Sequence, residues 1–471
     1  MTRYFGGSEH NDLEPSGGEI QKDRKTHVTT PASETEVASL DKADTTKNHQ
    51  AVSGPRADRL ERKARAENDA ERKRSKLNTV IAHMNHPEEW EAVEESRLDN
   101  TAEVAKQGRG NSREQQQIPV QMSQTSTSNA KAESMPTTMR AWQWSACSTT
   151  LEDAIQLNES APLPTAKRSL GPGESLIQVH AAALNPVDYK LAELPVVGRM
   201  AIPKPTTPGL DFAGRVVQAG PDCNVRIGQM VFGKLEPKQQ FGTLGEFIIG
   251  SKAGTVPIPE GVSAEKAATL GVCGLVTYQC IAPNVKKGHR ILINGGSGGT
   301  GTFAIQIAKS LGCHVTTTCS SANFQLCKDL GADEVIDYRT NDVPSLLATG
   351  QQQYDMILDN IGHPFELYWN SPAFTKPGAK YVQVGSQVSL PFVYDLAFRF
   401  LVPTWLGGGQ RPFSFGFATT NFDDFDALAK LVACGSVTPV VDEVYDFKDV
   451  KKAYEKLRTG RARGKIVVKV K

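Results

Sequence analysis

The chain runs to 471 residues, longer than one typical domain, so two folded units or a folded unit with a tail are expected. Its 53 Lys and Arg residues balance 52 Asp and Glu residues to a formal net charge of +1, which removes the electrostatic basis for a nucleic-acid or membrane-surface partner. No apolar run approaches the roughly 20 residues of a membrane-spanning helix.

The first residues, MTRYFGGSEHNDLEPSGGEI, hold no apolar signal core and carry acidic side chains early, which makes the cytoplasm the default location. None of the eight cysteines forms a CxxC pair, and this usage fits reduced thiols rather than a disulfide framework or zinc knuckle. Residues 1–138 are polar, charged and poor in aromatics, a composition that cannot bury enough apolar surface to offset ordering entropy. A largely disordered N-terminal tail is therefore expected there, with a charged helix over about 55–107. In that stretch Leu77, Val80, Ile81 and Met84 have helical spacing. They could form a partner-binding face, but a stripe of barely two turns is better read as a solvated charge run. Translation beginning at Met135 or Met139 is a third alternative.

From Met139 the texture is globular. SLIQVHAAAL, FAGRVVQAG and GEFIIG are short, β-branched and broken by Gly or Pro, and predict a strand-rich lobe over 139–274. A second rhythm occupies 275–404. HRILIN, HVTTT, EVIDY, YDMILDN and AKYVQVGS read as strands, with helices at TGTFAIQIAKSLG and NFQLCKDLG. This alternation predicts a doubly wound parallel sheet. Residues 405–471 then rejoin the first lobe, ending in a helix (KDVKKAYEKLRTG) and a strand (GKIVVKV). There are no internal repeats.

NGGSGGTG follows the first of these parallel strands and opens a helix. Its Gly296, Gly298 and Gly301 satisfy G-x-G-x-x-G. In this reading Gly296 permits the tight turn, Gly298 lets backbone approach a pyrophosphate, and Gly301 allows close helix–strand packing. Ser297, Gly299 and Thr300 would complete a phosphate cradle at the helix N-terminus. NAD-binding folds place an acid at the end of the second strand. Here Cys319, Ser320, Ser321, Ala322 and Asn323 stand there instead, leaving room and donors for a 2′-phosphate, so NADPH is the expected cofactor. Ser320 and Ser321 could also cap the next helix.

These blocks resemble the zinc-independent quinone oxidoreductases and enoyl reductase-like proteins of the medium-chain dehydrogenase/reductase superfamily, a group that includes zeta-crystallin-like proteins and the plant chloroplast-envelope oxidoreductase. The resemblance covers about Met139 to Lys471. It rests on GHRILINGGSGGTGTFAIQIAK (with Gln306 and Lys309), HVTTTCSSANFQLCKDLGADEVIDY, AAALNPVDYK, PGLDFAGRV, the GTLGEF block and GRARGKIVVKV. It implies an α/β fold in which a Rossmann sheet joins a GroES-like catalytic domain, with Ser320, Ser321, Asn323 and Tyr338 around the 2′-phosphate. The zinc enzymes of the superfamily place Cys and His ligands where this chain has Asn185 and Leu210. Only Cys273 falls at a ligand position, so no catalytic metal is expected. The structural cysteine lobe is missing as well from KLEPKQQFGTLG.

The chemistry expected is hydride transfer from NADPH to a small electrophile, a quinone, enone or enal, with donors stabilising the developing enolate. The alternatives are a trans-acting enoyl reductase on carrier-bound acyl chains, and a non-catalytic NADPH-binding regulatory protein. The resemblance places Asn185 against the nicotinamide ribose or substrate, with Asp188 in the same loop. Tyr189 and Lys190 are candidate donors to the enolate oxygen, set against a packed aromatic and a solvent-facing lysine. Asn360, Gly385 and Ser386 lie at strand carboxyl ends, where open α/β sheets bind ligands. Lys465 and Arg463 could reach a phosphate, although a charged strand edge is the simpler reading. Val276 stands where the family often has Thr, and Thr277 follows it; Cys273 reads more simply as a small buried hydrophobe than as a reactive thiol. FLVPTWLGGGQRPFSFGF would form a pocket wall, a lid or a subunit interface, and a homodimer is expected.

Overall fold

The computed structural model describes residues 135–194, 202–386 and 389–471. The expected tail and its charged helix lie outside the described residues. A short antiparallel pair, β1 (Thr138–Gln143) and β2 (Gln156–Pro162), opens the fold. Next come β3 (Glu174–Ala183), β4 (Asp211–Ala219), β5 (Met230–Lys234), β6 (Phe247–Ser251) and β7 (Thr255–Pro257). These strands pair antiparallel, and β3 is the hub. One edge of β3 runs along β4, and its first half also meets β6. Its Ala181–Ala183 end meets a strand from the far C-terminus. That partner is β15 (Lys465–Lys469), which lies parallel to β14 (Val441–Asp446). The Val450–Arg458 helix between them packs Val450, Ala453 and Tyr454 inward.

The second sheet holds β8 (Arg290–Asn294), β9 (His314–Cys319), β10 (Glu334–Asp337), β11 (Tyr354–Asp359), β12 (Thr375–Gln383) and β13 (Phe413–Phe415). All neighbouring pairs are parallel, in the order β10-β9-β8-β11-β12-β13. This is the 3-2-1-4-5-6 order of a dinucleotide-binding sheet, and its reversal between β8 and β11 makes a crevice at the strand carboxyl ends. Helices cover both faces, so Ile291, Leu292 and Ile293 of β8 are all fully buried rather than alternating. The Gly299–Ser310 helix docks on the sheet through Phe303, Ala304, Ile305, Ile307 and Ala308. The buried threonines of β9 keep their hydroxyls paired, with Thr317 donating to the Ile293 carbonyl (2.8 Å) and Thr318 to Asn294 Oδ1 (2.6 Å).

The return to the first lobe, expected from residue 405, comes later. Phe413–Phe415 still belongs to the parallel sheet, where its backbone pairs with Tyr381–Gln383. The aromatic-rich stretch therefore supplies the last strand, and Phe413 stacks on Tyr381 at 6.0 Å between ring centres. A helix at Leu390–Leu401, which the sequence reading did not place, precedes it. Leu390, Tyr394, Leu401 and Trp405 are each about four-fifths exposed (80%, 81%, 79% and 81%). They form an uncovered apolar surface beside the sheet edge. No helix among the described residues is long and apolar enough to cross a membrane.

Candidate active site

The glycine loop follows β8 directly. Its positive φ falls on Gly295 (φ 83°), so the tight turn expected of Gly296 is made one residue earlier. Gly296 is needed for a different reason: a side chain there would strike Thr317 of β9. Gly301 does pack closely, because a Cβ would run into the Gly295 carbonyl. Around Gly298, the N-cap of the Gly299–Ser310 helix, there is open space within 4 Å of a would-be Cβ. That combination suits a phosphate group, which needs backbone donors and room.

Ser297 ties the loop to two neighbours. Its Oγ accepts from Asn323 Nδ2 (3.1 Å), and its carbonyl accepts from Gly464 N (3.0 Å). The expected 2′-phosphate residues thus gather around the end of β9. Asn323 also donates to Ser320 Oγ at 3.4 Å. Ser320 begins the short turn Ser321–Asn323 without a side-chain capping bond, and Tyr338 is 53% exposed nearby, its N–H bonded to the Cys319 carbonyl (3.3 Å). One carboxylate does stand close. Asp337 pairs in register with Cys319, but its oxygens accept the amides of Ser321 (3.1 Å) and Arg339 (2.9 Å). Arg463 brings a cation to the same loop, donating through Nη2 to the Ala322 carbonyl (3.4 Å).

Lys465 does not reach a phosphate. It is buried, and its ammonium donates to the Leu184 carbonyl (3.0 Å), Asn185 Oδ1 (2.5 Å), Asp211 Oδ2 (3.3 Å) and Cys273 Sγ (3.4 Å). The physical reason is charge: Asp211 is wholly buried and requires a cation. Asn185 gives its Nδ2 to Asp211 Oδ2 (2.8 Å), so both ends of its amide are already engaged. Asp211 Oδ1 accepts from Val272 N (2.7 Å), within the wide π-helical turn Leu270–Gly274. Asp188 closes the cluster. Its Oδ2 accepts from Asn185 N (2.8 Å), while Oδ1 is buried without a partner.

This cluster lies under the glycine loop. A Cβ on Gly299 would sit 3.0 Å from Lys465 Cδ and 3.3 Å from Cys273 Sγ, and Thr300 donates to that sulfur at 3.6 Å. Burial pushes the Asp188 carboxyl up to about 8, with the Asp211 charge adding to it. Burial opposes the Lys465 charge, but Cys273, Asp211 and Asp188 outweigh it and hold the ammonium above the usual lysine range.

Lys190 spans the two lobes, donating to the Ser386 carbonyl (2.7 Å) beyond β12; burial lowers it from its ordinary value. It is therefore not a free solvent-facing lysine. Tyr189 turns elsewhere. Its ring lies under Arg458 at 4.3 Å, beside the Glu152 and Glu193 carboxylates that Arg458 binds, a packed-aromatic environment. Thr277 spends its hydroxyl on the Cys273 carbonyl (2.7 Å). At the end of β11 both side-chain polar atoms of Asn360 are buried without a partner. A Cβ on Gly385 would collide with the Asn360 carbonyl, so this glycine lets the two strand ends close up.

A nicotinamide dinucleotide fits these residues: open backbone at Gly298, an unpaired amide at Asn360, and a strand order that puts both at one crevice. A catalytic zinc does not. The positions that carry ligands in zinc relatives hold an amide already bonded at both ends, an apolar Leu210 and one thiol beside an ammonium. Among the described residues no group of three or more His, Cys, Asp or Glu side chains could hold a metal.

Residues 171–269 match the model of the alcohol dehydrogenase GroES-like domain, and residues 330–468 that of a zinc-binding dehydrogenase. The trans-enoyl reductase pgmF of Aspergillus terreus is 48% identical over 350 residues, covering 72% of this chain and 98% of its own. A zinc-type alcohol dehydrogenase-like protein of Schizosaccharomyces pombe is 32% identical, over 68% of this chain and 93% of its own. Among solved structures, a quinone oxidoreductase from Coxiella burnetii superposes with a TM-score of 0.61 at 29% identity, covering 71% of this chain and 99% of that one.

Proposed function

The chain belongs to the zinc-type alcohol dehydrogenase-like medium-chain dehydrogenase/reductase superfamily, and on that premise we propose that it reduces an α,β-unsaturated carbonyl or quinone with NADPH and without a metal. The observation that carries this reading is the Lys465 ammonium, which occupies the ligand cluster of Asn185 and Cys273 and would repel a divalent cation there. The bound dinucleotide supplies the hydride. Gly296 to Gly301 would hold its phosphates, and Ser320, Ser321, Asn323 and Arg463 would surround the adenosine end. Asn360 would offer its unpartnered amide to the nucleotide, and Gly385 keeps the crevice narrow. Lys190 bonds across to the Ser386 carbonyl, and a remaining N–H of its ammonium would stabilise the developing enolate oxygen.

Quinones, enones and enals remain the simplest substrates. A second reading, a trans-acting enoyl reductase on carrier-bound acyl chains, is favoured by the 48% identity to pgmF along nearly all of that protein. The homodimer that the resemblance implies would place a second copy on the uncovered apolar surface around Leu390, Tyr394 and Trp405. The test is steady-state oxidation of NADPH with a quinone, a simple enone and an enoyl thioester on a carrier protein, repeated with NADH and with a chelator. Turnover that prefers NADPH and ignores the chelator supports the proposal, and the preferred acceptor separates the two readings. Tight NADPH binding without turnover of any acceptor would overturn both and favour a cofactor-sensing role.

A further inference from the structure

The polar cluster under the glycine loop holds two buried carboxyls, Asp188 and Asp211, and one ammonium, Lys465. A buried group of this kind is stable only near charge balance, so one carboxyl keeps its proton. Asp211 accepts from three donors, Lys465 Nζ and Asn185 Nδ2 on Oδ2 and Val272 N on Oδ1. Asp188 has one, the Asn185 amide. The proton therefore belongs to Asp188, and Oδ1, its unpartnered oxygen, is the atom free to carry it.

Asp188 also borders a cavity of about 40 Å³ whose walls include Trp144, Thr207, Leu210, Leu235 and Glu236. Thr207 Oγ1 is likewise buried without a partner. Two unpaired polar groups on one small cavity describe a place for a bridging water, and the volume suffices for one. Glu236 and Lys238, which also line the cavity, are exposed, which gives bulk solvent a way in. Resting on the reductase reading above, we propose that Asp188 supplies the proton that completes the reduction, relayed through water in this cavity.

The step balances. Hydride from the dinucleotide adds to the β-carbon, and the electron pair of the C=C bond moves onto the carbonyl oxygen as an enolate. The Asp188 proton, relayed by water, ends on the α-carbon, and the Asp188 carboxylate regains a proton from solvent through the cavity mouth. The charged and titratable groups around Asp188 are Asp211 on β4, Lys465 on β15, Tyr454 on the Val450–Arg458 helix and Tyr189 on its own helix. Asp211 opposes ionisation of Asp188 and Lys465 favours it, with burial the largest influence.

The experiment compares full-length wild type with Asp188→Asn, which keeps an acceptor for the Asn185 amide and a neutral side chain. In wild type, kcat should fall above about pH 8. In D188N it should be roughly 100-fold lower and flat across that range, with the NADPH dissociation constant unchanged. Infrared titration of the cofactor-free protein should find a carboxylic-acid carbonyl band at pH 7 that disappears by pH 9–10 and is missing from D188N. Wild-type kcat and pH profile in D188N would overturn the role, as would an ionised Asp188 at pH 7. If D188N fails to fold, the wild-type infrared titration decides alone. A wild-type enzyme that turns over no unsaturated acceptor would overturn the reductase reading itself, an outcome distinct from an unaltered D188N.

Discussion

Lys465 and Asp211, 254 residues apart in sequence, form an ion pair at 3.3 Å with side chains that are 2% and 0% exposed. Removing one member of such a pair strands the other charge in a medium that cannot solvate it. Lys465→Met should therefore destabilise the protein by about 3–5 kcal/mol, and adding Asp211→Asn should recover much of the loss. Chemical denaturation of both variants tests this; an additive double mutant would show that the two residues do not act as a pair.

The glycine loop offers a discriminating contrast. Gly298 has φ −81° and ψ 178°, which any residue can adopt, and open space where a Cβ would go. Gly298→Ala should fold with unchanged stability yet bind NADPH at least 10-fold more weakly, because the methyl group fills the phosphate's place. Gly301→Ala, which meets the Gly295 carbonyl, should cost about 1–3 kcal/mol of stability. Fluorescence titration and thermal melts on the two variants separate these effects. Normal NADPH affinity in G298A would remove the phosphate from this loop.

Arg463 is the cation that touches the Ser320–Asn323 turn, through the Ala322 carbonyl. Charge-assisted bonds to a phosphate are worth about 1.5–3 kcal/mol. Arg463→Ala should accordingly raise KM for NADPH by roughly 10-fold or more while leaving KM for NADH unchanged. An equal rise for both cofactors would place Arg463 against a part of the nucleotide that they share.

Stability should also depend on pH through Asp188. Its carboxyl is raised in the folded state from 3.8 to about 8, so the unfolded chain releases this proton at lower pH than the native protein does. Raising the pH between those two values then favours unfolding, by up to about 1.4 kcal/mol per pH unit. Below pH 4 the cost vanishes, and above pH 8 it is constant. Compared with wild type, Asp188→Asn should gain melting temperature steadily from pH 5 to pH 8. A pH-independent difference between the two proteins would show that Asp188 is ionised in the native state.

The parts of the fold that were legible in the sequence are those governed by local rules. The strands Arg290–Asn294, His314–Cys319 and Tyr354–Asp359 are apolar or β-branched runs with Gly and polar punctuation, and the Gly299–Ser310 helix begins within the glycine run. The helix Leu390–Leu401 is not legible because most of its large apolar residues, Leu390, Val393, Tyr394 and Leu401 among them, are exposed. Its inward face, Phe392, Asp395, Leu396 and Arg399, carries an ion pair, so apolar spacing does not mark it. The strand Phe413–Phe415 is only three residues long, and its place in the parallel sheet depends on a partner 32 residues earlier in the chain.

Residue identity and short spacing were enough to read the glycine loop, the lack of an acid after the second parallel strand, and the loss of two of three zinc-ligand positions. What surrounds Asn185 and Cys273 came from the packing of distant strands. Lys465 could have been a phosphate ligand or a surface charge until β15 paired with β3 and carried it beneath Gly299, next to Asn185, Asp211 and Cys273. Likewise Tyr189 and Lys190 are adjacent in sequence, yet one packs under Arg458 and the other reaches Ser386. The physical reason is the same in both cases: the environment of a polar side chain is set by which distant strand brings a counter-charge or a carbonyl to it, and local sequence carries no record of that pairing.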